Sequence, residues 1–140
     1  MNTVRYIGVW VLAFVFTSLI DAFWHLGVFG GIYREGIRSL ARMNGDKMAF
    51  IGWAGLLSQV MVVTIVMLLV LLQPDGAGFV RAGVIGALAG VLAISVYGIT
   101  NYALLRDWGL TLTVLEMIWG PILGAASGVF VLWAKSLLIR

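Results

Sequence analysis

The stretch LTLTVLEMIWGPILGAASGVFVLWA, which runs from Leu110 to Ala134, contains a single charged residue, Glu116. A helix needs about 20 predominantly apolar residues to cross the roughly 30 Å hydrocarbon core of a bilayer. A strand of a membrane barrel would alternate apolar and polar residues, and no such alternation is present here. The stretch therefore predicts a transmembrane helix, because a helix satisfies its own backbone hydrogen bonds in lipid.

Three further apolar stretches of similar length precede this one, over Val4–Gly30, Lys47–Leu72 and Val80–Leu105. Of the 140 residues in the chain, 62% are hydrophobic and 11% are charged, and the mean hydropathy is +1.07. A soluble domain, by contrast, is about half apolar and about a quarter charged. The composition predicts a multi-pass membrane protein with one domain over residues 1–140, and it leaves little sequence for a soluble domain.

Two of the three connections between these stretches are tight turns. The second connection, Gln73–Gly76, contains Pro74, which presets φ, and ends in a glycine, which tolerates positive φ. The third connection, Arg106–Gly109, is equally short. Helices joined by such turns are antiparallel neighbours, so the predicted fold is an all-α, up-down bundle of four transmembrane helices.

The first connection, Gly31–Asp46, is the only substantial one. Its arginines Arg34, Arg38 and Arg42 lie four residues apart and would form one basic stripe on a helix, with apolar residues on the other faces. This pattern predicts a short interfacial helix whose arginines contact anionic lipid headgroups. The alternative is a solvated loop with scattered arginines.

Small residues indicate where two of the helices touch. Gly86 and Gly90 form a G-x-x-x-G pattern on the third span, and Gly120, Gly124 and Gly128 repeat the same spacing on the fourth. Such faces let helix backbones approach closely, so we expect the third span to pack against the fourth there. The alternative is that glycine is simply more frequent in membrane helices.

Polar and aromatic side chains interrupt the apolar stretches near one end of the predicted bundle, where the first and third spans end and the fourth begins. At 1.5 Å per residue, they lie within about one leaflet of the same membrane surface. Several are three or four residues apart on their helix, which places them on one face. The predicted cluster contains Asp21, Trp24, His25, Tyr97, Thr100, Asn101, Glu116 and Trp119.

Three interpretations of this cluster are open. Ionisable groups inside a membrane span are costly, which makes each of them a candidate functional residue. The cluster either fixes helix register, or binds a lipid, a quinone-like molecule or a proton, or is catalytic. In the catalytic case, His25 would be a general base and Asp21 would orient it.

We predict a small accessory or binding protein whose polar cluster, centred on Asp21, Asn101 and Glu116, binds a hydrophobic ligand or docks a partner subunit. One alternative is a lipid-modifying membrane enzyme, or a subunit of one. The other is a small proton-coupled transporter that acts as an oligomer.

The composition of the chain limits which kinds of partner and cofactor are compatible with it. The net charge of +3, without a long Lys/Arg run, favours anionic membrane lipids over nucleic acid as partners. Because most of the surface would face lipid, another membrane subunit or a second copy of the chain would dock within the membrane. The absence of cysteine excludes thiolate sites, and a single histidine excludes bis-histidine haem ligation within the chain. We predict no metal site, and no cofactor is indicated.

Five short motifs follow one another along the chain: D-x-x-W (Asp21, Trp24), Y-R (Tyr33, Arg34), Y-x-x-T-N (Tyr97, Thr100, Asn101), W-G (Trp108, Gly109) and acid-x-x-W-G (Glu116, Trp119, Gly120). In this order and spacing, nearly the whole chain resembles a bacterial integral-membrane family known as domain of unknown function twenty-one seventy-seven. The resemblance implies four membrane helices and a polar motif face. It implies no established activity, substrate or cofactor. We predict that the protein is a multi-pass protein of the bacterial inner membrane.

The chain departs from the pattern of that family at three positions. The acid before W-G is usually aspartate and is here Glu116, and Gly98 stands where the family has an acid after the tyrosine. His25 stands where an apolar residue is usual, which weakens the catalytic interpretation.

Overall fold

Long apolar helices form the body of the protein. The computed structural model describes residues 2–74, 76 and 78–139. Within these residues, four helices are long and apolar enough to cross a membrane: Thr3–Val28, Gly52–Leu71, Phe79–Leu104 and Leu110–Leu138. The prediction of an all-α, four-helix membrane protein with a short helix in the first connection is confirmed.

Two of the spans contain a wider, π-helical turn as well as α-helix. The elements in chain order are α1 (Asn2–Ala22), π1 (Phe23–Val28), α2 (Gly30–Ile37), β1 (Met43–Asn44), β2 (Lys47–Met48), α3 (Gly52–Leu71), α4 (Phe79–Gly90), π2 (Val91–Ser95), α5 (Val96–Leu104) and α6 (Leu110–Leu138).

Helix α6 is at the centre of the bundle, because it packs against α1, α3, α4 and α5. The largest apolar core includes Val9 of α1, Val63 and Val66 of α3, and Val131 of α6, all at most 1% exposed. The α3–α4 connection contains Gly76 at φ 86°, which fits the predicted turn. Asp75 of that turn lies outside the described residues.

The first connection differs in detail from its prediction. The short helix α2 ends at Ile37, so Arg42 lies beyond it and the three arginines do not share one helix. A two-stranded hairpin follows, with Met43 opposite Met48, and this shifts the start of the second span from the predicted Lys47 to Gly52. The chain turns at Gly45, whose φ of 60° suits the first central position of a type II′ hairpin turn.

The third and fourth spans meet backbone to backbone along their glycines. A Cβ atom added to Gly90 would fall on the carbonyl oxygen of Gly120, and one added to Gly86 would fall on that of Gly124. A Cβ atom added to Gly128 would likewise collide with the carbonyl oxygen of Ala82. Close approach of this kind is what small residues permit in membrane helices, where packing contacts replace the hydrophobic effect.

The π2 turn changes which residues of the third span face α6. The buried residues along this face are Gly86, Gly90, Ser95 and Gly98, so the step from Gly90 to Ser95 is five residues instead of the usual three or four. A π-helical turn bonds each N–H to the carbonyl five residues back and so inserts one extra residue. Each residue of a helix rotates the chain by about 100°, so the face after Ser95 differs from the one that an unbroken α-helix would present.

Ser95 also completes the backbone bonding of α6. Pro121 has no N–H, so the carbonyl of Met117, four residues earlier, lacks its helical partner. The Ser95 hydroxyl lies 3.3 Å from the carbonyl oxygens of both Met117 and Glu116 and donates to this pair. The hydroxyl is thus placed where it compensates for the proline.

We expect Ser95→Ala to lower the free energy of unfolding by about 1 kcal/mol, because the carbonyl of Met117 would lose its donor within the bundle. Thermal unfolding in detergent measures the change. Ser136→Ala is the matched control, since the hydroxyl of Ser136 is exposed and bonds the carbonyl of Trp133 in its own helix. Equal melting temperatures for the two variants would contradict a compensating role for Ser95.

A second, smaller core attaches α2 to the end of the bundle. Tyr33, Trp108 and Leu112 are buried together there. Gly36 of α2 lies against Leu112, so closely that an added Cβ atom would be 2.9 Å from its Cγ atom. This contact holds α2 beside the end of the first span and places Tyr33 next to the polar cluster.

Candidate functional site

The centre of the candidate site is His25, which lies between two carboxylates. His25 Nδ1 is 3.1 Å from Oδ1 of Asp21 and 3.0 Å from the carbonyl oxygen of the same residue. His25 Nε2 is 3.5 Å from Oε1 of Glu116, whose side chain comes from α6. The imidazole is therefore held from both sides, by its own helix and by the central helix of the bundle.

Two stacked tryptophans lie beside the carboxylate of Asp21, and one of them donates a hydrogen bond to it. Trp119 Nε1 donates to Oδ1 of Asp21 at 2.8 Å, across the contact between the first and fourth spans. The rings of Trp119 and Trp24 are stacked, with centroids 4.3 Å apart and an interplanar angle of 6°. Trp24 Nε1 in turn donates to the hydroxyl of Tyr33 at 3.3 Å. The aromatic pair thereby links Asp21 to α2.

Tyr33 forms the wall on the side of α2. Its ring centroid lies 4.5 Å from that of His25. Burial, together with the nearby carboxylates of Glu116 and Asp21, raises the pKa of Tyr33 above its usual range. The phenol is therefore protonated at physiological pH, and its hydroxyl can accept from Trp24 while donating its own proton.

The side chain of Glu116 is buried, and Gly98 of α5 lies directly against its Cβ and Cγ atoms. Glu116 is 6% exposed, and a Cβ atom added to Gly98 would lie 2.8 Å from Cβ of Glu116. Gly98 is the position where the resemblance led us to expect an acid. An acidic side chain at this position would collide with Glu116, so the departure from the motif fits the packing of this chain.

The structure brings together five of the eight residues predicted for the cluster: Asp21, Trp24, His25, Glu116 and Trp119. Tyr97 and Thr100 do not join them, because both side chains are exposed, and this corrects their predicted place in the cluster. Tyr97 is 56% exposed and packs edge-on against Trp108. The reason is the extra residue in π2, which turns Gly98 toward α6 in place of Tyr97.

Asn101, one of the three residues on which the predicted cluster is centred, is half-buried. Its Nδ2 atom is buried without a hydrogen-bond partner within the part of the chain that the structure describes. The partner of Glu116 is His25. Among the described residues, no side-chain hydrogen bond or ion pair therefore links Asn101 to the histidine cluster.

A cavity of about 690 Å³ opens in front of the cluster, between π1, α2 and the hairpin. His25 and Tyr33 form part of its lining, so the imidazole, 30% exposed, faces this space. Most of the lining surface is apolar, and the apolar side chains that line it are Leu26, Ile37, Met43, Met48 and Phe50. The ionisable cluster therefore borders an amphipathic cavity at the end of the bundle.

Three features of this site are not among the sequence predictions: Tyr33 as a wall residue, the hairpin and the cavity. The Gly45-Asp46 dipeptide, which occupies the two central positions of the turn, is the short-range signal that could have indicated the hairpin. Nothing comparable in the sequence places Tyr33, because its position depends on the packing of α2 against Leu112.

The donor set of the site is suited to hydrogen bonding and proton exchange. Among the described residues, no group of three or more His, Cys, Asp or Glu side chains has an arrangement that could hold a metal ion. The two carboxylates instead orient the imidazole, because its Nδ1 faces Asp21 and its Nε2 faces Glu116.

Comparison with known proteins gives one match. The family DUF2177, described as a predicted membrane protein, matches residues 6–133 and so covers the second and third spans, most of the first and fourth, and the whole site. No curated protein and no solved structure matches the chain. The chain therefore belongs to the DUF2177 family of predicted membrane proteins, the family that its motifs resemble.

Proposed function

We propose that this membrane protein binds a hydrophobic ligand in the cavity, with the polar end of the ligand against His25 and Tyr33. The observation that carries the proposal is that the imidazole held by Asp21 and Glu116 lines an otherwise largely apolar cavity. We further propose that the membrane is the bacterial cytoplasmic membrane. The helical spans support this location, because bacterial outer-membrane proteins are typically barrels.

The size and lining of the cavity support a ligand of small-molecule size. Ligand pockets are typically about 300–1,000 Å³, mostly apolar, with a few polar groups that fix orientation. This cavity has such a volume and combines the methionines of the hairpin with the imidazole and phenol of the cluster. Its position at the end of the first span, next to the interfacial helix α2, would allow an amphiphile to enter from the membrane.

A lipid-modifying enzyme is the second candidate, and the contact between His25 and Asp21 favours it. A histidine whose Nδ1 is oriented by a carboxylate is a common general base, and the other side of this imidazole is near the cavity. Here Nε2 is already beside Glu116, so an enzymatic role would require that contact to open. Mass analysis of any lipid recovered from the site would distinguish binding from conversion.

Photolabelling in nanodiscs tests the proposal. Phosphatidylcholine nanodiscs would be doped with increasing amounts of phospholipids that carry a diazirine in the acyl tail, and labelled residues would be mapped by mass spectrometry. We expect saturable labelling of Leu26, Met48 and Phe50 at the cavity. Labelling of the lipid-exposed Val80, far from the cavity in sequence, should rise in proportion to the amount of probe.

Adjacent glycines provide the matched variants. Gly30 lines the cavity, and an added Cβ atom would make only an ordinary contact, 3.4 Å from the carbonyl oxygen of His25. Gly30→Leu should therefore fold, partly fill the cavity and remove the saturable labelling. Gly31→Leu, where an added Cβ atom meets nothing within 4 Å, should keep it. Equal labelling of cavity and lipid-facing residues in the wild type would contradict the proposal and favour docking of a partner subunit.

A further inference from the structure

Three basic side chains line the same cavity as His25. They are Arg34 and Arg38 of the α2 region and Lys47 of the hairpin, whereas Asp46 is the single carboxylate in the lining among the described residues. The cavity therefore combines an excess of two positive charges with its apolar wall. This combination is more specific than a basic stripe that faces bulk lipid, because all three side chains line one cavity.

Two of the three cations have no ion-pair partner among the residues that the structure describes. Within residues 2–74, 76 and 78–139, neither Arg34 nor Lys47 has a carboxylate oxygen within the 4 Å of an ion pair. Arg38 is 3.8 Å from Glu35, but both side chains are largely exposed, and such pairs are weak. The positive charge in the cavity is thus available to a ligand.

The carboxylates of the cluster do not cancel this charge at the cavity surface. Asp21 and Glu116 are not part of the cavity lining and lie behind His25, which contacts both. A negative group on a ligand would accordingly be favoured beside the basic side chains and disfavoured toward Glu116. The apolar part of the ligand would then lie along Leu26 and Phe50.

We infer that the cavity is a binding site for a phosphate monoester carried on a hydrophobic chain. This inference rests on the proposed function and specifies its ligand class. A phosphate monoester carries about −1.5 to −2 charges at neutral pH, which matches an excess of two positive charges better than the single charge of a phosphodiester or carboxylate. Arginine forks bind phosphate oxygens in pairs, and lysine adds a point charge.

The test compares four diazirine-tailed lipids in phosphatidylcholine nanodiscs: phosphatidic acid, phosphatidylglycerol, phosphatidylcholine and diacylglycerol. We expect saturable cavity labelling to be strongest with phosphatidic acid. The double variant Arg34→Gln/Lys47→Gln should raise the amount of phosphatidic acid needed for half-saturation, by roughly tenfold for each cation removed. Both side chains are exposed, and unchanged thermal unfolding would verify that the variant is folded.

Arg106→Gln is the matched control, because Arg106 is an exposed cation at the same end of the bundle that does not line the cavity. A similar loss of labelling in Arg106→Gln would show general attraction to the surface and would overturn the inference. Equal saturable labelling by all four lipids would also overturn it, while leaving the proposed function intact. No saturable labelling by any lipid would overturn both.

Competition with inorganic phosphate distinguishes a lipid phosphate from a free phosphate, because both groups would bind the same basic side chains. Phosphate added at millimolar concentration should displace little phosphatidic acid, because it lacks the chain that the apolar wall contacts. Complete displacement by inorganic phosphate at a concentration equal to that of phosphatidic acid would assign the site to a soluble phosphate and overturn the lipid assignment.

Discussion

Replacing Gly90 by valine is expected to lower the free energy of unfolding by about 3 kcal/mol, the upper end for an overpacked core. The first atom of the new side chain would fall on the carbonyl oxygen of Gly120, and it would lie 3.2 Å from Cα of Gly124. Both neighbours are backbone atoms, so no side-chain rotation relieves the collision. The two helices would have to separate, which would also break the contact between Gly86 and Gly124.

Thermal unfolding in detergent, together with size-exclusion chromatography, measures this effect. Gly52→Val is the matched control, because Gly52 is also in a helix of the bundle and an added Cβ atom meets nothing within 4 Å. We expect the control to melt close to the wild type. A Gly90→Val protein as stable as the control would show that the third and fourth spans do not meet through these glycines.

Replacing Asp21 by alanine is expected to lower the free energy of unfolding by about 2–4 kcal/mol and to weaken ligand labelling in the cavity roughly tenfold. The indole N–H of Trp119 would lose the acceptor that it contacts at 2.8 Å. His25 Nδ1 would lose the carboxylate 3.1 Å away and keep only the backbone carbonyl of residue 21, so the imidazole would be held less firmly at the cavity wall. Buried donors without acceptors carry the full cost of desolvation.

Two further variants separate the structural and binding effects of Asp21. Asp21→Asn retains an acceptor for Trp119 and should recover much of the stability, while the altered contact with His25 leaves labelling reduced. Asp107→Ala removes an exposed carboxylate at the same end of the bundle and should change neither quantity. If Asp21→Ala lowered stability but left labelling unchanged, the histidine cluster would be structural only.

The number of spans and the contact between the third and fourth spans follow from local features of the sequence. Long apolar runs predict the four helices, since lipid leaves the backbone no other means of satisfying its hydrogen bonds. Glycines spaced by four residues on both spans lie in the structure where the two backbones meet. Neither inference needs knowledge of distant contacts.

The position of Tyr97 could not be predicted in this way. To place Tyr97 in the polar cluster, one has to assume that the 3.6-residue period of the third span continues without interruption past Gly90. The π2 turn breaks that period, and Ser95, the last residue of this turn, bonds a carbonyl that Pro121 leaves without a partner on another helix. The signal lies in the spacing of Gly90, Ser95 and Gly98, which becomes interpretable only when α6 is placed beside it.

The candidate site was predicted in part. Asp21 and His25 are one turn apart on one helix, and their contact follows from that spacing. The contacts of this pair with Glu116 and Trp119 depend on how the first and fourth spans face one another. The cavity depends in addition on the hairpin and on the attachment of α2 through Tyr33, neither of which is set by hydropathy.

Native mass spectrometry of the protein released from nanodiscs tests the central claim, that one ligand occupies the cavity beside His25, most directly. We predict that the wild type retains one phospholipid per chain at collision energies that remove the surrounding lipid, that Gly31→Leu retains it as well, and that Gly30→Leu loses it. A wild type that emerges without lipid, or the same bound lipid in Gly30→Leu, would contradict a ligand site in this cavity.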